Sequence, residues 1–325
     1  MNNISKHIVF NAKSDNFVNL ISEETPLVSA IVTTYKRSPV LVQRAVFSIL
    51  NQTYHNIELI VVNDCPADTK LVEEIEEMLS SIQTDIELHY MVVAKNGGAC
   101  KARNIGIRQA RGKYIACLDD DDEWKKEKIQ IYVEAAEKDS KVGIVYGGVI
   151  TRNEKSGTEK STEEIKPSGD IFMQELAYNI IGSCSFPLLR KSIVDYVGGF
   201  REDMPALQDW ELFLRMLKKC KSVYIPQPLN IYYIYKGERI SANSQGRVVA
   251  YEKLRMEYQD ELKKNKKVAA SFYLMGCYFY GLNLDIGKGF YYWKKAVGKD
   301  PSNVKKNVME LVKLFGRPIK ESKNI

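Results

Sequence analysis

The feature that most constrains the fold of this chain is a regular alternation of short apolar runs and helical segments between residues 28 and 150. Short β-branched apolar runs predict strands, and apolar residues that recur every three or four positions predict helices. The predicted strands are 28–33, 57–62, 86–93, 114–118 and 142–150, and the predicted helices are 40–50, 71–82, 99–110 and 124–138. This order indicates a mainly parallel sheet flanked by helices, which binds ligands at the carboxyl ends of its strands.

The length of 325 residues suits one large domain with an appendage, or two domains. Residues 1–26 have weak periodicity and are interpreted as an N-terminal leader. The sheet domain is expected over 27–245, and a helical C-terminal region over 246–325. In that region 269–280 and 286–297 predict a helical hairpin. Its spacing is similar to a tetratricopeptide unit, and an ordinary helical extension is an equal alternative.

The segment between the last predicted sheet strand and the C-terminal helices has a weaker pattern. Residues 151–169 are charged and polar, and they are predicted to form a loop. Residues 208–219 predict a helix. Residues 222–235 predict two short strands that are broken by Pro226 and Pro228, because proline cannot donate to a strand ladder.

Composition excludes several classes of protein. The six cysteines include no C-x-x-C pair, and the three histidines have no ligand-like neighbours in sequence, so disulfide scaffolds and zinc sites are not expected. No run of 18 or more apolar residues predicts a membrane-spanning helix, and the N-terminus has no apolar signal core. We therefore expect a cytoplasmic protein whose chemistry depends on carboxylates.

The net charge of +6 is concentrated in the last quarter of the chain. Residues 251–325 contain 16 Lys+Arg against 8 Asp+Glu. A basic region of this kind favours an anionic membrane surface or a polyanion, which suggests peripheral contact with the inner face of the membrane. A solvated helical surface is an equal alternative. No nucleic acid is expected as a partner, and a homo-oligomer is open.

The most informative motif is a run of four acids, Asp119, Asp120, Asp121 and Asp122, directly after the fourth predicted strand. Adjacent carboxylates repel one another unless a cation compensates them, and Mg²⁺ or Mn²⁺ prefers such oxygen ligands. The alternative is that Asp122 caps the helix that starts near Trp124. One acid is enough for a cap, so the run favours a metal site.

Three other segments lie where a ligand could bind, and each has a plain structural alternative. Residues 96–98 (Asn-Gly-Gly) could approach an anion at a helix start or form a simple turn. Asp64 follows the second predicted strand and could bind a nucleoside, or Asp64 or Asp68 could cap the next helix. Asp209 could be a general base or a surface acid that favours the helix dipole.

Together these segments resemble the family 2 glycosyltransferases, which are inverting enzymes that use nucleotide sugars. The resemblance covers residues 27–245 in order, and it implies the GT-A fold, a Rossmann-like nucleotide-binding fold with a mixed, mainly parallel sheet. The matching pieces are VSAIVTTYKR at 28–37, SILNQTY at 48–54, ND at 63–64, NGG at 96–98, ARNIG at 102–106, GKYI at 112–115, LDDDDEW at 118–124, VGGF at 197–200 and QDWEL at 208–212.

The resemblance also implies roles for individual residues. Asp121 would be the principal metal ligand within an Asp119-x-Asp121 (DXD) element, and Asp209 would be the catalytic base. Trp210 and Ser183 would shape the acceptor side. The residues implied in donor binding are Thr33, Tyr35, Arg37, Asp64, Asn96, Gly97, Gly98, Arg103, Asp119, Asp120 and Lys236.

Some positions depart from the family pattern. Asn63 replaces the first of two acids that often follow the second strand, and Cys65 and Pro66 replace Gly-Ser. Lys236 stands where many relatives have a histidine near the metal. We hypothesise that Lys236 contacts the donor diphosphate as a fixed cation. Lys236→Ala is then expected to weaken nucleotide binding even in saturating Mn²⁺, and unchanged affinity would refute this role.

The function that follows is metal-assisted hexosyl transfer from a nucleotide sugar, with UDP favoured, to a glycan or lipid-linked acceptor in polysaccharide or capsule synthesis. Two alternatives remain. A sugar nucleotidyltransferase would need a Gly-rich basic loop after the first strand, which residues 33–39 lack. An inactive nucleotide-sugar-binding scaffold is disfavoured by the intact acids.

Overall fold

The computed structural model describes residues 3–11, 25–162, 164–234 and 243–303, and every structural statement below refers to these residues. The chain divides into two compact units. The first unit comprises Met1–Ile171, Ile181–Glu202 and Leu212–Lys236. The second unit comprises Phe172–Ile180, Asp203–Glu211 and Gly237–Ile325.

The helices and strands of the described residues are numbered in chain order. The strands are β1 Ile4–Phe10, β2 Val28–Thr34, β3 Ile57–Asn63, β4 Glu87–Val93, β5 Tyr114–Asp119, β6 Glu123–Trp124, β7 Val142–Asn153, β8 Glu159–Ser161, β9 Leu188–Arg190 and β10 Lys221–Ile234. The helices are α1 Pro39–Leu50, α2 Thr69–Ser80, α3 Ala99–Gln109, α4 Lys128–Glu137, α5 Phe172–Ala177, α6 Lys191–Val197, α7 Gln208–Leu217, α8 Ser244–Glu257, α9 Gln259–Lys264, α10 Lys266–Leu282 and α11 Ile286–Lys299.

The first unit contains one mixed sheet in the order β1-β4-β3-β2-β5-β9-β7-β10-β6, with β8 paired to β7. The pairs β4–β3, β3–β2, β2–β5 and β7–β10 are parallel, whereas β1, β6, β8 and β9 pair antiparallel. Every residue of β3 is buried, as its continuous apolar run predicts for a central parallel strand. The predicted mainly parallel α/β sheet is confirmed.

Local sequence signals explain where the helices near the site begin. The Ser38 side chain accepts the Val40 N–H, and Pro39 occupies the first turn of α1, where proline fits. The Asp68 side chain accepts the Leu71 N–H at the start of α2. Of the two acids considered as caps for this helix, Asp68 is therefore the one that caps it.

Three sequence predictions need correction. The helix expected from residue 124 begins at Lys128, because Trp124 pairs with Asn230 in a short strand. In place of two short strands over 222–235, Lys221–Ile234 form one continuous strand, β10, which accommodates its prolines by register shifts against β7 between Ile225 and Asn230, and Tyr235 lies outside the described residues. The predicted loop over 151–169 contains the end of β7 and the hairpin strand β8.

The interpreted leader contains a strand as well. Residues Ile4–Phe10 form β1, which pairs antiparallel with β4 at the edge of the sheet. An edge strand with one face in solvent gives a weak apolar pattern, which explains why periodicity did not reveal it.

The second unit has an aromatic core, and its helical hairpin matches the sequence prediction. Tyr251 stacks on Phe272 with ring centroids 4.8 Å apart, and Tyr280 stacks on Tyr292 at 5.4 Å. Gly276 is required here, since a Cβ at this position would lie 2.4 Å from the Tyr251 hydroxyl. Phe279, Tyr280 and Tyr292 are buried in this core, whereas Phe290 and Tyr291 are exposed.

The helices and the cysteines agree with the expectations from composition. Within the described parts of the chain, no helix combines the length and the apolar character that crossing a membrane requires. All six cysteines are free thiols, and only Cys220 is not buried.

Candidate functional site

Three parallel strands, β2, β3 and β5, place their carboxyl ends side by side in the first unit. The register aligns Thr33 of β2 with Val62 of β3 and with Asp119 of β5, and Asp64 directly follows β3. Residues that follow neighbouring parallel strands gather at one edge of a sheet, where ligands bind in such folds. This edge carries the acids that the sequence singled out.

Asp64 is buried and is held by the turn that precedes α3. Its Oδ1 accepts the Gly97 N–H at 2.9 Å, its Oδ2 accepts the Gly98 N–H at 2.7 Å, and Asn96 Nδ2 donates to the Asp64 carbonyl and to Oδ2. Burial raises the pKa of Asp64, although both N–H groups and nearby Lys101 oppose the shift. The anion that this turn binds is the Asp64 carboxylate.

This contact bears on the role expected for residues 96–98, which stays a prediction. The N–H groups of Gly97 and Gly98 are engaged with a side chain of the protein, so the geometry does not favour them as direct ligands of a donor phosphate. Gly98 adopts φ 82° and ψ 167°, a conformation that is essentially restricted to glycine. The turn positions Asp64.

Asn63, which replaces an acid of the family pattern, has a structural role. Its Oδ1 accepts the Cys65 N–H at 2.9 Å, and its Nδ2 donates to the Tyr90 hydroxyl at 2.9 Å. The Tyr90 hydroxyl in turn donates to the Val72 carbonyl at 3.1 Å. Asn63 is fully buried, and these bonds shape the segment that carries Asp64.

Asp119 ends β5 and pairs with Arg103 of α3. Arg103 Nη2 donates to Asp119 Oδ1 at 2.7 Å, and the guanidinium also lies 5.3 Å from the centre of the Phe200 ring. The Ser183 hydroxyl and the Cys184 thiol donate to the same carboxylate at 3.5 and 3.4 Å. Burial acts to raise the pKa of Asp119, but Arg103 and these donors hold it below its ordinary value.

Asp120 and Asp121 share one guanidinium. Arg37 Nε donates to Asp120 Oδ1 at 3.1 Å, and Arg37 Nη2 donates to Asp121 Oδ2 at 3.0 Å. Asp120 is buried and Asp121 is partly exposed. Arg37 therefore lies against two carboxylates of the acid run, which is consistent with its predicted place in the donor site.

The acid run remains short of positive charge despite its arginines. Burial raises the pKa of Asp120 to about 7, and the charges of Asp121 and Asp119 act in the same direction. Thr34 and Arg37 oppose the shift without abolishing it. Carboxylate oxygens are the donors that Mg²⁺ and Mn²⁺ prefer, and Asp120 and Asp121, which share Arg37, offer such oxygens at this edge.

The fourth acid, Asp122, has a different environment. It is almost fully buried, and its Oδ1 accepts the Tyr233 N–H at 3.4 Å. Burial raises the pKa of Asp122 well above its ordinary value, and Asp119 and Asp121 add to the shift. Because α4 begins at Lys128, after Glu127, Asp122 does not cap that helix, and this alternative is wrong.

Several residues around the site were not found from the sequence. The Ser185 hydroxyl accepts the Asp119 N–H at 3.0 Å, and its carbonyl accepts bonds from Trp124 Nε1 and from the buried Lys128 Nζ. Arg44 Nη2 donates to the Asp121 carbonyl at 2.8 Å. Ser185 and Arg44 are distant in sequence from the acids that they contact, and no local motif joins them. Only covariation between distant positions could have revealed these contacts.

Two predicted donor residues lie on the open side of this edge. Thr33 is partly buried at the end of β2, in register with Asp119. Tyr35 is 48% exposed, and its ring faces the Lys36 ammonium at 5.3 Å. An exposed aromatic ring at this position can stack on a planar ligand.

The remaining predicted site residues are Asp209, Trp210 and Lys236. Asp209 is in the second unit, half-buried in the first turn of α7. Trp210 is fully buried, donates from Nε1 to the Glu175 carbonyl at 2.7 Å and packs against Phe272. Any effect of Trp210 on an acceptor would therefore be indirect. Lys236 lies outside the described residues.

The sequence and the fold resemble those of known glycosyltransferases. The chain is 25% identical over 253 residues to WcaA of Escherichia coli strain K12, by its name a candidate colanic acid biosynthesis glycosyl transferase, and the match covers 75% of this chain and 86% of WcaA.

Two solved structures share the fold. The mannosyltransferase PcManGT of Pyrobaculum calidifontis, solved with GDP-Man and Mn²⁺, superposes with a TM-score of 0.59 at 16% identity, covering 89% of this chain and 81% of PcManGT. S. aureus TarS 1–349 in complex with UDP-GlcNAc gives a TM-score of 0.56 at 16% identity, covering 89% of this chain and 80% of that one. These likenesses confirm the expected GT-A fold.

The family itself follows from a direct match. The model of "Glycosyl transferase family 2" matches residues 29–198, more than half of the chain, and the matched part contains Asp64, Arg103 and the acid run 119–122. The chain therefore belongs to glycosyl transferase family 2.

Proposed function

We propose that this protein is an inverting glycosyltransferase that moves a hexose from a UDP-sugar to a hydroxyl of a glycan or lipid-linked acceptor. The observation that carries the proposal is the gathering of Asp64, Arg103 and the acids 119–121 at one sheet edge. Nucleotide ligands bind at this edge in open α/β sheets. The relatives solved with GDP-Man or UDP-GlcNAc support a nucleotide-sugar donor.

In this proposal the chain's own residues bind and orient the donor. Asp64, fixed by the turn at 96–98, accepts a hydrogen bond from the base, with uracil favoured. The exposed ring of Tyr35 and the hydroxyl of Thr33 contact the nucleoside. Arg103 holds Asp119 in place, and Asp120 faces the ribose and sugar.

The acid run is the proposed cation site, with Asp121 as principal ligand and Asp119 as second ligand. Its oxygen donors and its deficit of positive charge support this assignment. A bound Mn²⁺ or Mg²⁺ would offset the charge that develops on the diphosphate as it leaves. Arg37, which contacts Asp120 and Asp121, would then move towards the diphosphate oxygens as a second positive group.

Asp209 is the proposed general base. Its carboxylate takes the proton of the acceptor hydroxyl while that oxygen forms a bond to the anomeric carbon, and the bond from this carbon to the diphosphate oxygen breaks on the opposite face. UDP leaves with the electron pair of that bond. The single displacement inverts the anomeric centre and needs no nucleophilic side chain.

Two further observations bear on the acceptor and on the location of the protein. The name of WcaA supports an extracellular polysaccharide as the product class. On α11 of the second unit, Phe290 and Tyr291 are 40% and 51% exposed, with Lys294 and Lys295 beside their rings. Aromatic and basic side chains together favour an anionic bilayer surface, which supports a peripheral position on the cytoplasmic face of a membrane.

A nucleotide-sugar hydrolysis screen tests the proposal. UDP-, GDP- and dTDP-hexoses are incubated with the protein in Mn²⁺, Mg²⁺ or EDTA, and the released nucleoside diphosphate is measured. We expect slow hydrolysis of a UDP-hexose with either metal and none with EDTA. Binding without turnover would instead indicate an inactive scaffold, release of pyrophosphate from UTP and a sugar phosphate would indicate a nucleotidyltransferase, and no binding would reject the proposal.

A further inference from the structure

A second polar cluster lies at the amino ends of β3 and β4, at the opposite end of these strands from Asp64. Potential ligand atoms of Glu58, Glu87 and His89 lie within 4.8 Å of one another. None of these residues belongs to the proposed donor or cation site. The cluster therefore needs its own explanation.

Arg111 bridges the two carboxylates of the cluster. Arg111 Nε donates to Glu58 Oε2 at 2.8 Å, and Arg111 Nη2 contacts Glu87 Oε1 at 2.8 Å. Glu58 Oε1 also accepts the Arg111 N–H at 2.7 Å and the Ser29 hydroxyl at 2.6 Å. Glu58 is therefore not available as a metal ligand, because both of its carboxylate oxygens already accept hydrogen bonds within the protein.

The imidazoles are arranged differently. His89 Nε2 lies 2.8 Å from Glu87 Oε1, and an ionised carboxylate can only accept, so Nε2 carries the proton and donates. The lone pair of neutral His89 is then on Nδ1, which lies 3.0 Å from Nε2 of His7 on β1. The β1–β4 register aligns His89 with Val9, so His7 lies diagonally across the same face.

We propose that His7 Nε2 and His89 Nδ1 bind one Zn²⁺, or a similar borderline transition-metal ion, at this edge of the sheet. Two nitrogens bound to tetrahedral zinc at about 2.0–2.1 Å lie about 3.3 Å apart, so the 3.0 Å spacing would open by a few tenths of an ångström. The ion would replace the hydrogen bond between the two rings, and the proton of His7 would then be on Nδ1. A histidine that binds a metal usually donates its other ring N–H to a carboxylate, which fixes the tautomer of the ring. Glu87 is that carboxylate for His89.

The surroundings suit such a site. His7 is exposed, so water can complete the coordination. With two protein ligands instead of the usual four, the affinity is expected to be modest.

Binding of the ion would stabilise the pairing of β1 with β4. Within the described ranges β1 is an edge strand that pairs with β4 alone, and the ion would join these two strands through one side chain of each. Because the unfolded chain does not hold the two histidines together, the ion stabilises the folded edge by mass action. Imidazole ligands also separate this site from the acid run, since Mg²⁺ and Mn²⁺ prefer oxygen.

The test is a calorimetric titration of the metal-free full chain with Zn²⁺ in the presence of excess Mg²⁺. The chain has three histidines, which provides a matched control: His7→Gln changes an exposed ligand, and His55→Gln changes an exposed histidine outside the cluster. We expect wild type and His55→Gln to bind one equivalent and His7→Gln to lose it. Glu87→Gln should weaken binding about 10–100-fold.

A second readout locates the ion. Zn²⁺ should slow amide hydrogen exchange across residues 4–10 in the wild type and in His55→Gln, and should leave it unchanged in His7→Gln. Equal Zn²⁺ affinity in wild type and His7→Gln, or no Zn²⁺ binding by wild type, would overturn the proposal. Neither result affects the proposed glycosyl transfer, because His7 and His89 have no role in it.

Discussion

Asp64 and Asp121, two single residues of the same type, follow strands of one sheet but have different partners. Asp64 is bound by two backbone N–H groups, whereas Asp121 shares the Arg37 guanidinium with Asp120. Strand ends can be identified from the sequence, so the gathering of these acids was predictable. Their partners were not, because Arg37 precedes Asp121 by 84 residues and no local rule joins them.

The positive φ of Gly98 provides a test of the turn that positions Asp64. Gly98→Ala should cost about 1–3 kcal/mol of folding free energy, because alanine is strained at this positive φ. Among the described residues, a Cβ at this position meets no atom within 4 Å, so no steric clash adds to the strain. The strain should also displace Asp64 and weaken UDP binding. Thermal unfolding and UDP titration measure the two effects.

Gly157 is the matched control for this variant. It also has a positive φ, of 66°, with no atom within 4 Å of a built Cβ, and it lies in the exposed β7–β8 turn. Gly157→Ala also introduces a Cβ at a positive φ and should bind UDP like the wild type. Equal UDP affinity in both variants would contradict a role of the turn in donor binding.

The proposed metal ligand is tested by Asp121→Asn. Mutation of a residue that hydrogen-bonds a metal ligand typically lowers metal affinity ~10–100-fold. Loss of a charged oxygen of the ligand itself should lower Mn²⁺ affinity by at least that factor. Electron paramagnetic resonance of free Mn²⁺ measures this directly. Asp139→Asn, at an exposed acid before β7, should bind Mn²⁺ as the wild type does, and the assignment fails if both variants behave alike.

At the scale of helices and strands, periodicity predicted the elements with strong apolar patterns. The central strands β2–β5 and helices α1–α3 lie close to their expected bounds. Periodicity failed where tertiary pairing decides the structure. Trp124 joins a two-residue strand because β10 offers Asn230 as a partner, and β10 stays continuous through its prolines because β7 accepts a shifted register.

The C-terminal helices depend on one carboxylate, which leads to a prediction about pH. Glu252 of α8 accepts the Tyr280 hydroxyl at 2.9 Å, the Tyr292 hydroxyl and Arg255 Nε at 2.6 Å. Burial acts to raise its pKa, but these donors lower it below the ordinary 4.5. Glu252 therefore stabilises the fold above about pH 4.5, and this contribution is lost as the pH falls through its lower folded pKa.

Glu252→Gln should lower the free energy of unfolding by about 1–3 kcal/mol at neutral pH, because two buried hydroxyls and Arg255 lose their charged acceptor. It should also flatten the fall in stability below pH 4.5. Chemical denaturation at several pH values measures both effects. Asp260→Asn, which breaks only an exposed pair with Lys263, should change little. A variant as stable and as pH-dependent as the wild type would exclude this role for Glu252.

At the scale of the whole molecule, the family was predictable because many modest motifs occur in a fixed order along the chain. The division into two units was not, since the second unit takes one short segment, Phe172–Ile180, from within the matched residues 29–198 and another, Asp203–Glu211, from just after them. Asp209 lies in one of these segments, whereas the donor-side acids belong to the first unit. The proposed base is therefore the part of the mechanism that most needs a direct test.

The most direct measurement compares glycosyl transfer and UDP binding in wild type, Asp209→Asn and Asp203→Asn. Asp203 is an exposed acid of the same segment, paired with Lys253, and it controls for the loss of one charge. Removal of a general base should slow transfer about 10²–10⁴-fold while UDP affinity and folding stay unchanged. The account predicts that loss for Asp209→Asn and near wild-type transfer for Asp203→Asn. Transfer by Asp209→Asn at the wild-type rate would contradict it.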